Sequence, residues 1–313
     1  MKNKLKIIFC GTPEYAVPSL EALAKVFEVV AVVAQPDKPS GRGERTISVP
    51  VKKVAERLGL KVLQFERIRD NVAELKKIPH DIIATVAYGQ ILSKEILEIP
   101  KYGVINAHGS LLPKYRGSSP IQWALIKGEK VTGVTIMQTA EGLDNGDILK
   151  MYPIDISEDD NAGTLFPKLA ELSAKALVET LPLIAEGKIK PIKQNEAEAT
   201  YFPMLRKVDG ELDFSLSAGE IVGKVRGVNP WPGAYTMWGE QVVKVWEVRV
   251  SSLSQSNATV GQIIVSNPKD GLVVACGKGQ AVEILELQLA GGKRLMAKEF
   301  LRGRIIPVGA VFG

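Results

Sequence analysis

The sequence predicts a doubly wound, mostly parallel α/β sheet followed by a small β-barrel. Three observations predict it. The first half alternates short apolar runs with helix-like segments, the rhythm of βαβ units around a parallel sheet. Beyond Arg206 that rhythm gives way to short strands separated by Gly, Ser and Asn turns, which is the pattern of a small barrel. A length of 313 residues also exceeds one ordinary core, so two domains are expected.

The elements follow in order. Leu5–Cys10 is apolar and stops at Gly11, as a buried strand does. Pro18–Lys25 has helical composition, and Val29–Ala34 is a second buried strand closed by Gln35-Pro36. Val51–Leu58 is amphipathic, with Gly59 as its stop. Asp81–Ala87 is another apolar strand, and Ser93 is placed to cap a helix over Lys94–Glu98. Val131–Gln138 and Ile148–Pro153 read as later strands. A long helix is expected over Leu165–Glu186, with Pro167 in its first turn and Pro182 kinking or breaking it near the end. Gly187, Pro191 and Pro203 amid mixed charge suit a linker. The expected division is a first domain over 1–189, a linker over 190–206 and a second domain over 207–313. Strands of the second domain are read at Val242–Val250, Gly261–Val265, Leu272–Ala275 and Ala281–Leu289. Trp231, set between two prolines, is read as packing.

Composition narrows the function. The chain is 45% hydrophobic and 24% charged, and no apolar run approaches the roughly 18 residues of a membrane span, so a soluble cytoplasmic protein with no membrane partner is expected. The two cysteines, Cys10 and Cys276, stand far apart, which argues against a disulfide framework. Without a Cys/His cluster no metal site is expected. Gly11-Thr12-Pro13-Glu14 offers one glycine where a dinucleotide fingerprint wants three, and Pro13 removes an amide donor, so a nicotinamide cofactor is not expected. The net charge of +5 is unevenly spread: residues 35–53 carry a net +3 and residues 291–313 a net +4. That distribution suits an anionic partner.

Asn106-Ala107-His108 ends a short apolar run and so falls at a strand mouth. Strand side chains alternate, so Asn106 and His108 aim an amide and an imidazole the same way. His108 is one of only two histidines. An amide donor beside a titratable imidazole is what an oxyanion-forming acyl transfer needs. Farther on, Gly142 and Gly146 bracket Asp144 in a tight turn able to hold its carboxylate rigidly.

These motifs, with Ser110-Leu111-Leu112-Pro113-Lys114-Tyr115-Arg116-Gly117 and Leu143-Asp144-Asn145-Gly146-Asp147-Ile148, resemble the formyltransferases that use 10-formyltetrahydrofolate. Phe9–Glu14, Gln35–Gly43 and Asn229–Ala234 extend the resemblance, over nearly the whole chain, to the members that act on methionyl-tRNA. The resemblance implies a Rossmann-like catalytic domain and an OB-like carboxyl-terminal domain. It implies formyl transfer from 10-formyltetrahydrofolate to the amino group of initiator methionyl-tRNA, by a monomer. Asn106 and His108 would then stabilise the oxyanion. Asp144 would hold His108 charged or take the amine's proton through water. Ser110, Leu111, Leu112 and Pro113, with Tyr88 and Gly89, would line the folate site. Arg116 would meet the folate tail or be structural. The basic loop Gln35–Ile47, through Lys38, Arg42 and Arg45, would contact tRNA. Direct transfer requires neither a nucleophilic Ser or Cys nor a metal. Three other readings share the motifs: a formyltransferase for an amino-sugar nucleotide, a hydrolase of the folate donor, and an RNA-binding module on an inactive sheet.

Overall fold

The computed structural model describes residues 4–39, 46–253 and 257–313. The fold divides into two compact units that do not follow the chain contiguously. The first comprises Met1–Gly117, Val131–Asp155 and Phe166–Phe202; the second comprises Ser118–Lys130, Ile156–Leu165 and Pro203–Gly313.

The strands of the first unit are β1 (Lys6–Gly11), β2 (Glu28–Ala34), β3 (Lys38–Pro39), β4 (Thr46–Ile47), β5 (Val62–Gln64), β6 (Ile82–Val86), β7 (Val104–His108), β8 (Arg116–Gly117), β9 (Val131–Gln138), β10 (Ile148–Asp155) and β11 (Tyr201–Phe202). Seven of them form one sheet in the order β10-β9-β7-β6-β1-β2-β5. The five from β5 to β7 run parallel, and β9 and β10 add an antiparallel edge. β6 is buried along its whole length, and so is β1 from Ile7 to Gly11, as a sheet covered on both faces requires. The chain leaves β1 for β2 and β5 on one side, and returns to β6 and β7 on the other. The carboxyl ends of β1, β6 and β7 therefore share the edge where the strand order reverses, the usual place for a ligand in such sheets.

The helices of this unit are α1 (Val17–Val26), α2 (Pro50–Arg57), α3 (Val72–Lys76) and α4 (Lys94–Leu97); α5 (Pro120–Ile126) belongs to the second unit, and α6 (Ala162–Ala185) belongs to the first from Phe166 onward. Ser93 takes the N-cap position of α4 but its side chain makes no capping bond. α6 begins three residues before the expected Leu165, so Pro167 lies inside it rather than in its first turn, and the helix continues through Pro182 to Ala185. Its start is set by reciprocal bonds: Asn161 N donates to Thr164 Oγ1 (3.0 Å), and Thr164 N donates to Asn161 Oδ1 (3.2 Å).

The second unit holds α7 (Ala218–Val228), α8 (Ala297–Gly303), β12 (Ala234–Trp238), β13 (Gln241–Val250), β14 (Ile263–Asn267), β15 (Gly271–Ala275), β16 (Ala281–Leu289) and β17 (Leu295–Met296). The strands form an antiparallel sheet in the order β12-β13-β16-β15-β14, with β17 on β16, consistent with a small barrel. Val243, Val245, Ile263, Leu272, Val274, Ile284 and Leu287 fill its core with Ile221 and Val225 of α7. Trp231 departs from the sequence reading: the residue is 51% exposed and stands outside the buried core of the unit. The turn is anchored instead by Asn229, whose carbonyl accepts from Gly163 N (3.0 Å) and whose Nδ2 donates to Trp246 O (2.9 Å). No helix among the described residues is long and apolar enough to cross a membrane.

Candidate active site

Asn106 and His108 are the third and fifth residues of β7 and point to one face at its carboxyl end. Parallel register sets Asn106 beside Thr85 of β6. Thr85 Oγ1 donates to Asn106 Oδ1 (2.9 Å), which fixes the amide and leaves its N–H groups without a protein acceptor among the described residues.

His108 is buried, with 7% exposure. Its Nε2 lies 2.9 Å from the carbonyl oxygen of Tyr115. A carbonyl only accepts, so Nε2 carries a proton and donates it. Nδ1 is therefore the nitrogen open to chemistry, and it faces Asp144 Oδ2 at 3.7 Å. That separation exceeds a hydrogen bond but is short for a charge interaction. The same carboxylate oxygen accepts from Gly117 N (2.8 Å). Tyr115 and Asp144 have φ of +61° and +47°. Two non-glycine residues in the left-handed region beside one imidazole mark backbone bent to serve a site.

The predicted folate-lining residues divide. Ser110 is fully buried; its Oγ donates to Lys114 O (2.7 Å), while its carbonyl accepts from Thr135 Oγ1 (2.6 Å). Thr135, opposite His108 in the β7–β9 pairing, also accepts from Leu112 N (3.0 Å). Leu112 packs inward on Met137 and Ile148. The side chains of Ser110 and Leu112 thus shape the loop from within, while Leu111 and Pro113 remain partly exposed. The Leu112–Pro113 bond is cis. Tyr88 turns into the core beside Ile8, Cys10 and Ile83, so its ring does not line an open site. Its carbonyl accepts from Thr12 Oγ1 (3.0 Å) and Gln35 Nε2 (3.3 Å). Gly89 is exposed and left-handed, with φ +83°, just past the end of β6. Burial pushes the Cys10 thiol up, which makes it a poor thiolate nucleophile.

Of the predicted tRNA contacts, Lys38 lies in β3, paired with Ile47 of β4, whereas Arg42 and Arg45 fall outside the described residues. Asp37, next to Lys38, is tied to the sheet: Lys52 Nζ donates to its Oδ2 (2.6 Å) and Gln64 Nε2 to its Oδ1 (2.8 Å). The Lys52 bond first, and the Gln64 bond next, hold the Asp37 carboxyl below the usual carboxylate range. A depressed carboxyl adds stability above its unfolded pKa and loses it as pH falls through its folded value. Asp37→Asn is therefore expected to lower Tm at neutral pH, with the deficit shrinking as the carboxyl range is crossed. Thermal melts along a pH series check this; a deficit constant with pH would rule it out.

Arg116 is fully buried and faces Glu196, Gln194 and Tyr201, all from 194–201. It is structural. Thr85, Tyr115 and Gln194 were not legible as site residues, because each reaches the site through a partner distant in sequence or through a backbone atom.

Residues 4–181 match the formyl transferase family and residues 204–304 match the formyl transferase C-terminal domain. The methionyl-tRNA formyltransferase of Acetivibrio thermocellus is 46% identical over 312 residues, covering 99% of this chain and 100% of its own length. That of Caldanaerobacter subterraneus subsp. tengcongensis is 46% identical over 311 residues, covering 98% and 99%. Among solved structures, the N-formyltransferase of Helicobacter canadensis in complex with folinic acid and dTDP-3-aminofucose shares the fold. Its TM-score is 0.68 at 20% identity, over 90% of this chain and 98% of that one. With both domains and full-length relatives in agreement, the chain belongs to the formyl transferase family, in the branch of the methionyl-tRNA formyltransferases.

Proposed function

We propose that this protein transfers the formyl group of 10-formyltetrahydrofolate to the amino group of initiator methionyl-tRNA. The observation that carries the reading is the convergence of the Asn106 amide, His108 Nδ1 and the Asp144 carboxylate at the end of β7. The amine attacks the formyl carbon; a C–N bond forms as the bond to N10 breaks. The carbonyl oxygen carries negative charge in between. Asn106 meets that charge with the N–H groups that Thr85 leaves outward. His108 meets it with an Nδ1–H, since its Nε2–H is already given to Tyr115. Asp144, 3.7 Å from Nδ1, supports the imidazolium. The Asp144 carboxylate takes the proton lost by the amine through a water, and a proton ends on N10 as the bond to it breaks.

The apolar, partly exposed Leu111 and Pro113 and the open backbone at Gly89 suit a flat pterin. Lys38, Arg42 and Arg45 contact the acceptor end of tRNA, and the domain over 207–313 adds sequence-independent binding. The protein acts as a cytoplasmic monomer. Two measurements test the reading. Incubation with the folate donor and initiator methionyl-tRNA is expected to yield N-formylmethionine on the tRNA; its absence would refute the activity. Arg42→Ala is expected to abolish most tRNA formylation while folate binding is kept. Equal loss of folate binding, or unchanged formylation, would refute the loop assignment.

A further inference from the structure

The stretch 190–206 reads in sequence as a linker, yet Phe166–Phe202 packs with the first unit. Between Ile192 and Phe202 the attachment is specific. Ile192 and Ile148 exchange two backbone hydrogen bonds of 2.8 Å, at the end of β10 nearest the Asp144 turn. Gln194 Nε2 then donates to the carbonyls of Asp144 (2.8 Å) and Gly146 (2.7 Å), spanning that turn. Gln194 Oε1 accepts from Arg116 Nε (3.0 Å) and Nη2 (2.8 Å), so its amide cannot flip away. Arg116 is held in turn by Glu196, with contacts of 2.9 and 2.7 Å.

The far end of the stretch grips the other catalytic partner. Thr200 Oγ1 accepts from Tyr115 N (2.8 Å), and the Phe202 ring stacks on Tyr115 with centroids 5.2 Å apart. Tyr201 and Phe202 pair with Arg116 and Gly117 as β11 against β8. Tyr115 supplies the carbonyl that holds His108 Nε2, and Gly117 supplies the N–H on Asp144 Oδ2.

We propose that 192–202 is a positioning clamp for the catalytic pair: Gln194 sets Asp144, while Thr200 and Phe202 set Tyr115 and through it His108. None of the three touches a reacting atom. They keep Nδ1 and Oδ2 at the separation the chemistry uses, and a displacement of about 1 Å in such a pair costs on the order of a hundredfold in rate. The proposal rests on the formyl-transfer reading.

The test measures kcat, KM for both substrates, the folate Kd and Tm for wild type, Gln194→Ala and Thr200→Val. Gln194→Ala is expected to lower kcat by about tenfold to a hundredfold with both KM values and the folate Kd unchanged. Thr200→Val, which keeps the shape and removes the acceptor, is expected to act in the same direction. In an Asp144→Ala background Gln194→Ala is expected to cost little more, since both act through one group. Unchanged kcat in either folded single variant, or fully additive losses in the pair, would overturn the clamp. If Gln194→Ala does not fold, Thr200→Val alone decides. If wild type transfers no formyl group, it is the activity that has failed, and the clamp falls with it.

Discussion

His108→Ala is expected to lower the single-turnover rate of formyl transfer by about a hundredfold to a thousandfold, the usual cost of losing an oxyanion donor. Three geometric facts set this expectation. The ring is buried, its Nε2–H is committed to Tyr115, and its Nδ1 faces Asp144 at 3.7 Å. Alanine removes the imidazole at the end of β7, and with it the Nε2–H given to the Tyr115 carbonyl and the ring nitrogen that faces the Asp144 carboxylate. Folate binding, measured separately, is expected to persist, because the loss falls on charge that develops during reaction. A rate within tenfold of wild type would mean that the oxyanion is met by other groups.

Gly146→Ala is expected to be nearly as damaging, although residue 146 touches no substrate. A Cβ on Gly146 would stand 1.7 Å from the Gln138 carbonyl oxygen and 3.2 Å from Ala140 N, both backbone atoms that cannot yield cheaply. The carbonyl of Gly146 is also gripped by Gln194. The turn carrying Asp144 must therefore shift, and a shift near 1 Å costs on the order of a hundredfold in kcat. Gly142→Ala gives the contrast: the atoms nearest its Cβ all belong to the side chain of Asn145, the first at 2.2 Å, and that side chain can rotate aside. Kinetics of the two variants should separate them clearly. Wild-type kcat in Gly146→Ala would show that the turn is not held as described.

Much of this fold was legible because fully buried parallel strands leave continuous apolar runs. Ile7–Cys10 and Ile82–Val86 announce themselves that way. The start of α6 did not, since Asn161 and Thr164 cap it through a reciprocal pair outside the usual acidic signature. Asn106 and His108 were legible through the period-two rule, and Asp144 through its flanking glycines. Their supports were not. Thr85 is 21 residues from Asn106 and meets it through sheet register; Gln194 is 50 residues from Asp144 and meets it because the chain returns along β8. Local pattern cannot report such partners. Ser110, Leu112 and Tyr88 show another limit of local pattern: it does not report that their side chains turn inward.

The most direct test of the central claim is an acceptor panel. Wild-type protein and 10-formyltetrahydrofolate are mixed with initiator methionyl-tRNA, elongator methionyl-tRNA, free methionine or an amino-sugar nucleotide, and formylated product is measured in a single turnover. Rapid formylation of the initiator alone is the predicted result. Formylation of the amino-sugar nucleotide with none of either tRNA would contradict it, keeping the formyl-transfer chemistry of Asn106, His108 and Asp144 but assigning it to a different amine.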